Sequence, residues 1–258
     1  MSKSKFIYPD GKRTSRLFMH DDWVPNHHYH IIGKAVPGRL LFKEEIHYRR
    51  FLRKSVRDLY QMVFQIYVYC LLPNHFHLAI RTLTEEEMRE RLAPLKRELR
   101  PFQRAFLEGR LDWRAYVIAT FGAATNSHAQ YINHALGLKG QLFVKPTLHG
   151  LTDKGEPGKE YSRRMAAYIA FNYYKHGLMP AEGQYPWSSL RKPMYYIIEP
   201  EIVKHYGSEE EYITYHLNYL KKYGAHMLDF DEEAFFSNLT PRRYIADYGE
   251  WQAEQEKK

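Results

Sequence analysis

The sequence predicts an α+β fold with an antiparallel sheet, on three observations. Runs rich in aromatic and β-branched residues stand at His28–Val36, Met62–Cys70 and His75–Arg81, each bounded by turn-forming residues. Two long segments with helical periodicity, Lys43–Tyr60 and Ala115–Leu136, separate and follow them. A last apolar run, Gln141–His149, completes the order β-α-β-β-α-β, the split βαβ arrangement of a ferredoxin-like domain.

Each element has a local reason. The first strand ends at the Pro37-Gly38 pair. In Lys43–Tyr60, Ile46, Phe51, Leu52, Val56 and Leu59 form an apolar stripe, with Arg49, Arg50, Arg53, Lys54 and Arg57 between them, as in a basic amphipathic helix. Leu71 to Asn74 turns the second strand into the third, so the two form a hairpin. Thr84 with Glu87 reads as a capping box that opens a charged helical stretch, which Pro94 and Pro101 divide. Gly137 closes the second long helix, and Pro146 marks the last strand as an edge or an interrupted strand. Gly150 to Lys159 reads as a hinge, and Glu160–His176 as a helix stopped by Gly177. Beyond Pro186 come WSSL, a Tyr-Ile patch of strand character and helical segments near Glu209 to Tyr223. The expected organisation is an N-terminal extension over 1–24, a core over 25–190 that includes an insertion at 84–114, and a C-terminal helical extension over 191–258.

Composition narrows the function. The 258 residues are 44% hydrophobic, enough for one substantial core, and 38 Lys and Arg against 30 Asp and Glu leave a net charge of +8 that favours polyanionic partners. The 22 Tyr, 14 Phe and 4 Trp add faces on which unpaired bases can stack, a combination suited to single-stranded nucleic acid. No apolar run reaches the roughly 18 residues of a membrane span, and the first residues lack the core of a signal peptide. A cytoplasmic protein with no membrane partner is expected. The lone cysteine, Cys70, fits a buried strand thiol.

The chemistry centres on LLPNHFHLAI. A strand sends residues i and i+2 to one face, so the His75 and His77 imidazoles stand side by side, about 7 Å apart along the backbone. On the helix after the hinge, Tyr168 and Asn172 are four residues apart and share a face. A tyrosine hydroxyl can attack a phosphodiester in line and leave a covalent phosphotyrosine, provided a cation or base assists it. A divalent ion held by His75, His77 and the Asn172 carboxamide would be such a cation, with Mg²⁺ or Mn²⁺ the first choices and Zn²⁺ open. Tyr161, Tyr173 and Tyr174 are rival nucleophiles, but only Tyr168 is near Asn172 in both angle and height. His28 and His30 repeat the His-x-His pattern. They fit the start of the first strand, where a backbone partner is expected for His30, although neighbouring strands would bring it near the site.

LLPNHFHLAI and YIAFN, followed by a Gly-Leu stop and PWSS, resemble the motifs of the small single-tyrosine HUH transposases, REP-associated tyrosine transposases included. The segments HYHIIGKAVPGRLLF and GLKGQLF are similar to flanking parts of the same family, and the resemblance covers about residues 25 to 190. It implies a metal-dependent enzyme that cuts and rejoins single-stranded DNA beside a hairpin or palindrome, with Tyr168 as nucleophile and His75, His77 and Asn172 as metal ligands. Dimeric members of the family also suggest a homodimer as one arrangement, with the tyrosine helix able to dock on its own core or on a partner's. The insertion at 84–114 is longer than the family pattern, and the tail after residue 190 lies outside it. Arg49, Arg53, Arg57, Lys96, Arg97, Arg100, Arg163 and Arg164 are candidate phosphate contacts, each also readable as part of a solvated helix face. Two other functions fit the same residues: a domesticated hairpin-binding protein with little catalysis, and a metal hydrolase in which water attacks.

Overall fold

The computed structural model describes residues 23–95, 98–144, 148–151, 165–178, 185–190, 198 and 200–228. Four antiparallel strands form one sheet: β1 (His28–Lys34), β2 (Phe64–Leu72), β3 (His75–Thr82) and β4 (Leu148–Leu151), in the spatial order β2-β3-β1-β4. Its helices are α1 (Glu45–Arg50), α2 (Glu85–Leu92), α3 (Pro101–Leu107) and α4 (Trp113–Ala135), then α5 (165–170), α6 (Asn172–Lys175), α7 (Pro200–His205) and α8 (Glu209–Leu228). The fold is therefore α+β, with an antiparallel sheet and several helices.

Both faces of the sheet are covered, which explains why β1 reads as a continuous apolar run rather than an alternating one. On one face, the Phe76 ring meets Phe51 at 4.9 Å, and Phe51 meets His128 of α4 at the same distance. Tyr60 stacks on Phe121 at 5.0 Å, and the Ser55 hydroxyl donates to the Ala124 carbonyl. The α1 region and α4 thus form one helical layer. Gly33 lies opposite Phe76 in the β1–β3 ladder, where a side chain would enter the Phe76 ring, so glycine is required for close approach.

Several boundaries differ from the sequence reading. The basic helix is α-helical only over Glu45–Arg50, widens to a π-helix over Phe51–Arg57, and reaches Met62 through a 3-10 turn. Leu71 and Leu72 stay in β2, paired with Phe76 and His75, so the turn is only Pro73-Asn74. That turn is held by backbone: Leu41 and Phe42 donate to the Pro73 carbonyl and Ala35 to that of Asn74. The capping box is present, with Thr84 Oγ1 accepting from Glu87 N and Glu87 returning to Thr84 N. The run Gln141–His149 is not one strand. Phe143 bridges to Ala35, and pairing with β1 resumes at Leu148 and extends through Gly150 and Leu151, two residues expected in the hinge. The rest of that hinge lies outside the described residues, as does 160–164 of the predicted helix.

Candidate active site

The second sheet face carries the candidate residues. Pairing sets Ile32 opposite His77 and His30 opposite Ala79, so His30, His75 and His77 point the same way. Above them run α5 and α6, broken at Phe171 and ended by Gly177 at φ 66. The PWSSL segment fixes this helix. Leu71 N donates to the Trp187 carbonyl and Ser189 N to that of Tyr69, which lays 187–189 along β2; Ser188 Oγ then donates to the Ala170 carbonyl at 2.8 Å. Trp187 in turn stacks on Tyr48 of α1, 4.4 Å between centroids.

The tyrosine helix lies on the histidine strand of its own chain. The Tyr168 ring is 6.0 Å from His77 and 6.3 Å from His30, and the His176 ring is 4.8 Å from His75. Asn172 falls midway between Tyr168 and His176 at four-residue spacing, which turns its side chain toward the same strand. It is fully buried, and neither amide atom has a hydrogen-bond partner among the described residues. A buried carboxamide with nothing to bond is costly, and a cation would offset that cost.

The hydrogen bonds of the two histidines run through Nδ1. His75 Nδ1 bonds Asn74 Oδ1 at 2.7 Å, which places the proton on Nδ1 and the lone pair on Nε2. His77 Nδ1 lies 2.8 Å from His30 Nε2, and both rings are fully buried. Ligation through His77 Nε2 requires the proton on Nδ1, which then donates to His30 and sets the His30 proton on its own Nδ1. Burial pushes the His77 pKa well below the usual imidazole value, and His30, Lys34, His176 and Lys175 push it the same way, so the ring is the neutral form a metal needs. Among the described residues no three His, Cys, Asp or Glu side chains converge on one point. A divalent ion here would take two imidazoles and the Asn172 oxygen, a mixed donor set that suits Mn²⁺ or Zn²⁺ better than the oxygen-preferring Mg²⁺.

Tyr168 is only 3% exposed, and Lys175 Nζ stands 5.2 Å from its ring centroid. His30 bonds the side chain of His77, in place of the backbone partner expected of it, and His176, at the end of the tyrosine helix, belongs to the same group of rings. The helical signal that joined Tyr168 to Asn172 reaches His176 one turn later. Of the basic candidates, Arg49, Arg53 and Arg57 sit in the helical layer on the opposite sheet face, with Arg49 paired to Glu45 and Arg57 to Asp58. Arg100 is exposed at the N-terminus of α3. None of these four is brought to Tyr168; Lys96, Arg97, Arg163 and Arg164 lie outside the described residues, as does Tyr161.

No protein-family model matches the chain, and no curated protein matches it in sequence. Among solved structures, that of the REP-associated tyrosine transposase bound to a REP hairpin is similar, with 16% identity and a TM-score of 0.43 over 70% of this chain and 89% of that one. No helix among the described residues is long and apolar enough to cross a membrane.

Proposed function

We propose that this chain is a metal-dependent DNA strand transferase that cuts and rejoins single-stranded DNA at hairpin-bearing sites through a covalent phosphotyrosine on Tyr168. The observation that carries the reading is the seating of Tyr168 against His77 and His30, one turn from the buried, unbonded carboxamide of Asn172. The motif resemblance of LLPNHFHLAI and YIAFN supports it, and the strand order β2-β3-β1-β4 supports a ferredoxin-like core for it.

In the proposed reaction the Tyr168 oxygen attacks phosphorus, its O–P bond forming as the bond to the 3′-oxygen of the departing strand breaks. The phenolic proton leaves, and the 3′-oxygen gains one to become a free hydroxyl. A 3′-hydroxyl from another strand end then attacks the phosphotyrosine and restores the tyrosine, so no phosphodiester is lost and no oxidant is needed. His75, His77 and Asn172 would hold a divalent ion, which would supply Lewis acidity at the phosphate. His30 holds His77 in the ligating tautomer, and Asn74 does the same for His75. Lys175 adds positive charge beside the tyrosine, where the phosphate must sit. Burial of Tyr168 keeps water from competing, and DNA entry requires what covers it to move.

The same burial favours a second reading, a hairpin-binding protein with little catalysis. Incubation with Mn²⁺ or Mg²⁺ and labelled hairpins bearing single-stranded flanks separates the two. The transferase reading predicts an adduct that survives denaturation and vanishes in Tyr168→Phe. Binding without cleavage under either ion favours the second reading, and cleavage that persists in Tyr168→Phe assigns the attack to water.

A further inference from the structure

A cavity of about 140 Å³ opens on the histidine face of the sheet, lined among others by His28, Tyr67, Ala79, Met165, Tyr215 and His216. We infer that this cavity binds one unpaired pyrimidine base of the DNA strand whose phosphate Tyr168 attacks, an assignment that rests on the strand-transfer reading.

Its position argues for DNA adjacent to the scissile phosphate. His28 is one alternate strand position from His30, about 7 Å away. Met165 and Ala166 precede Tyr168 by three and two residues, about 3–4.5 Å along a helix. At about 3.4 Å per stacked nucleotide, the cavity lies within about two nucleotides of the attacked phosphate. Its walls suit a base. His28 packs on Tyr67 at 5.4 Å between centroids and Tyr206 on Tyr215 at 5.1 Å, so the rings form aromatic walls on which a base can stack, and Tyr215 is 38% exposed. An apolar cavity of about 150 Å³ is known to accept benzene, so this volume holds one six-membered ring, while the fused second ring of a purine would extend into its open mouth. One polar group gives orientation. His216 Nδ1 donates to the Tyr212 carbonyl at 2.8 Å, so its Nε2 is an acceptor for the cytosine amino group or the thymine N3–H. Burial holds that imidazole down to about 4, which keeps Nε2 unprotonated at neutral pH. The C-terminal helix α8, outside the motif resemblance, supplies Tyr215 and His216 and so gains a part in substrate binding.

The test uses the full-length protein in chelator, so that nothing is cleaved, with short fluorescent homopolymers of thymidylate, deoxycytidylate and deoxyadenylate. The pyrimidine polymers are expected to bind more tightly than deoxyadenylate. Tyr215→Ala, and independently Ala79→Leu, which fills the cavity floor, should each lose about fivefold or more in affinity for them, with an unchanged melting temperature. A thymidylate polymer carrying one 5-iododeoxyuridine should photocrosslink to Tyr67 or Tyr215. Equal affinity for all three polymers, cavity variants that bind as the parent does, or crosslinks confined to other residues would each overturn the assignment. If a parallel reaction in Mn²⁺ gives adducts on Tyr168 while the cavity variants bind normally in chelator, the pocket is refuted and strand transfer stands. If the cavity variants lose the pyrimidine preference in chelator and the Mn²⁺ reaction gives no adduct, the pocket stands and the transferase reading fails.

Discussion

His30 shows what one residue contributes to this site. Its Nε2 is the partner of His77 Nδ1 inside a fully buried pair. Truncation by His30→Ala leaves that nitrogen without its bond, a cost of about 1–3 kcal/mol. Loss of a group that orients a metal ligand also lowers metal affinity about 10- to 100-fold. Titration calorimetry with Mn²⁺ measures this directly, and His30→Gln, whose Oε1 reaches the place of Nε2, should recover most of it. Asn172 predicts a different pattern. Because its amide atoms bond nothing among the described residues, Asn172→Ala should leave metal-free stability nearly unchanged while abolishing the rise in melting temperature that Mn²⁺ gives. A large metal-free loss would mean that Asn172 is a structural residue.

At the scale of elements, the shared faces of the histidine strand and of the Tyr168 helix were legible because they follow from local spacing. Two histidines at i and i+2 share a strand face, and Tyr168 and Asn172 share a helix face whatever surrounds them. His30 was not legible in this way. Its contact with His77 depends on the β1–β3 register, Ile32 opposite His77, which two separate segments fix only after they pair. The π-helix over Phe51–Arg57 was hidden because its apolar spacing matches an α-helix; in the fold Phe51 meets His128 of α4 and Ser55 bonds the Ala124 carbonyl. Gly33 reads in sequence as a weak point in a strand, yet it makes room for Phe76. Gly33→Ala forces a ring in the core to shift, and should lower stability by about 1–3 kcal/mol in denaturant melts. Ser188→Ala removes the bond to the Ala170 carbonyl and should loosen the tyrosine helix, seen as faster amide exchange in 165–175 without loss of the sheet's protection.

For the whole molecule, buried histidines set a pH limit. Burial lowers His128 to about 3 and His216 to about 4, below the ordinary value near 6.5. Between 6.5 and those values the unfolded chain binds protons that the folded one does not, so stability falls as pH falls. Each such histidine removes about 1.4 kcal/mol per pH unit below 6.5, with His216 ceasing to contribute near 4 and His128 near 3. Melting temperatures should therefore drop steeply between pH 6.5 and 4, and His128→Gln should flatten part of that slope. The net charge of +8 adds a second property of the whole chain: if DNA binding uses it, affinity falls steeply with salt.

The central claim, that a tyrosine facing the histidine strand forms the DNA bond, is tested most directly by mapping the bonded residue. Protein reacted with a DNA hairpin in Mn²⁺ is digested with nuclease and trypsin, and the peptide 165–175, which lies between Arg164 and Lys175 cleavage, is fragmented by mass spectrometry. The account predicts a nucleotide remnant on Tyr168, dependent on the metal and absent from His77→Ala. A remnant on Tyr173, Tyr174 or a residue outside this peptide, or cleaved DNA with no remnant at all, would contradict it.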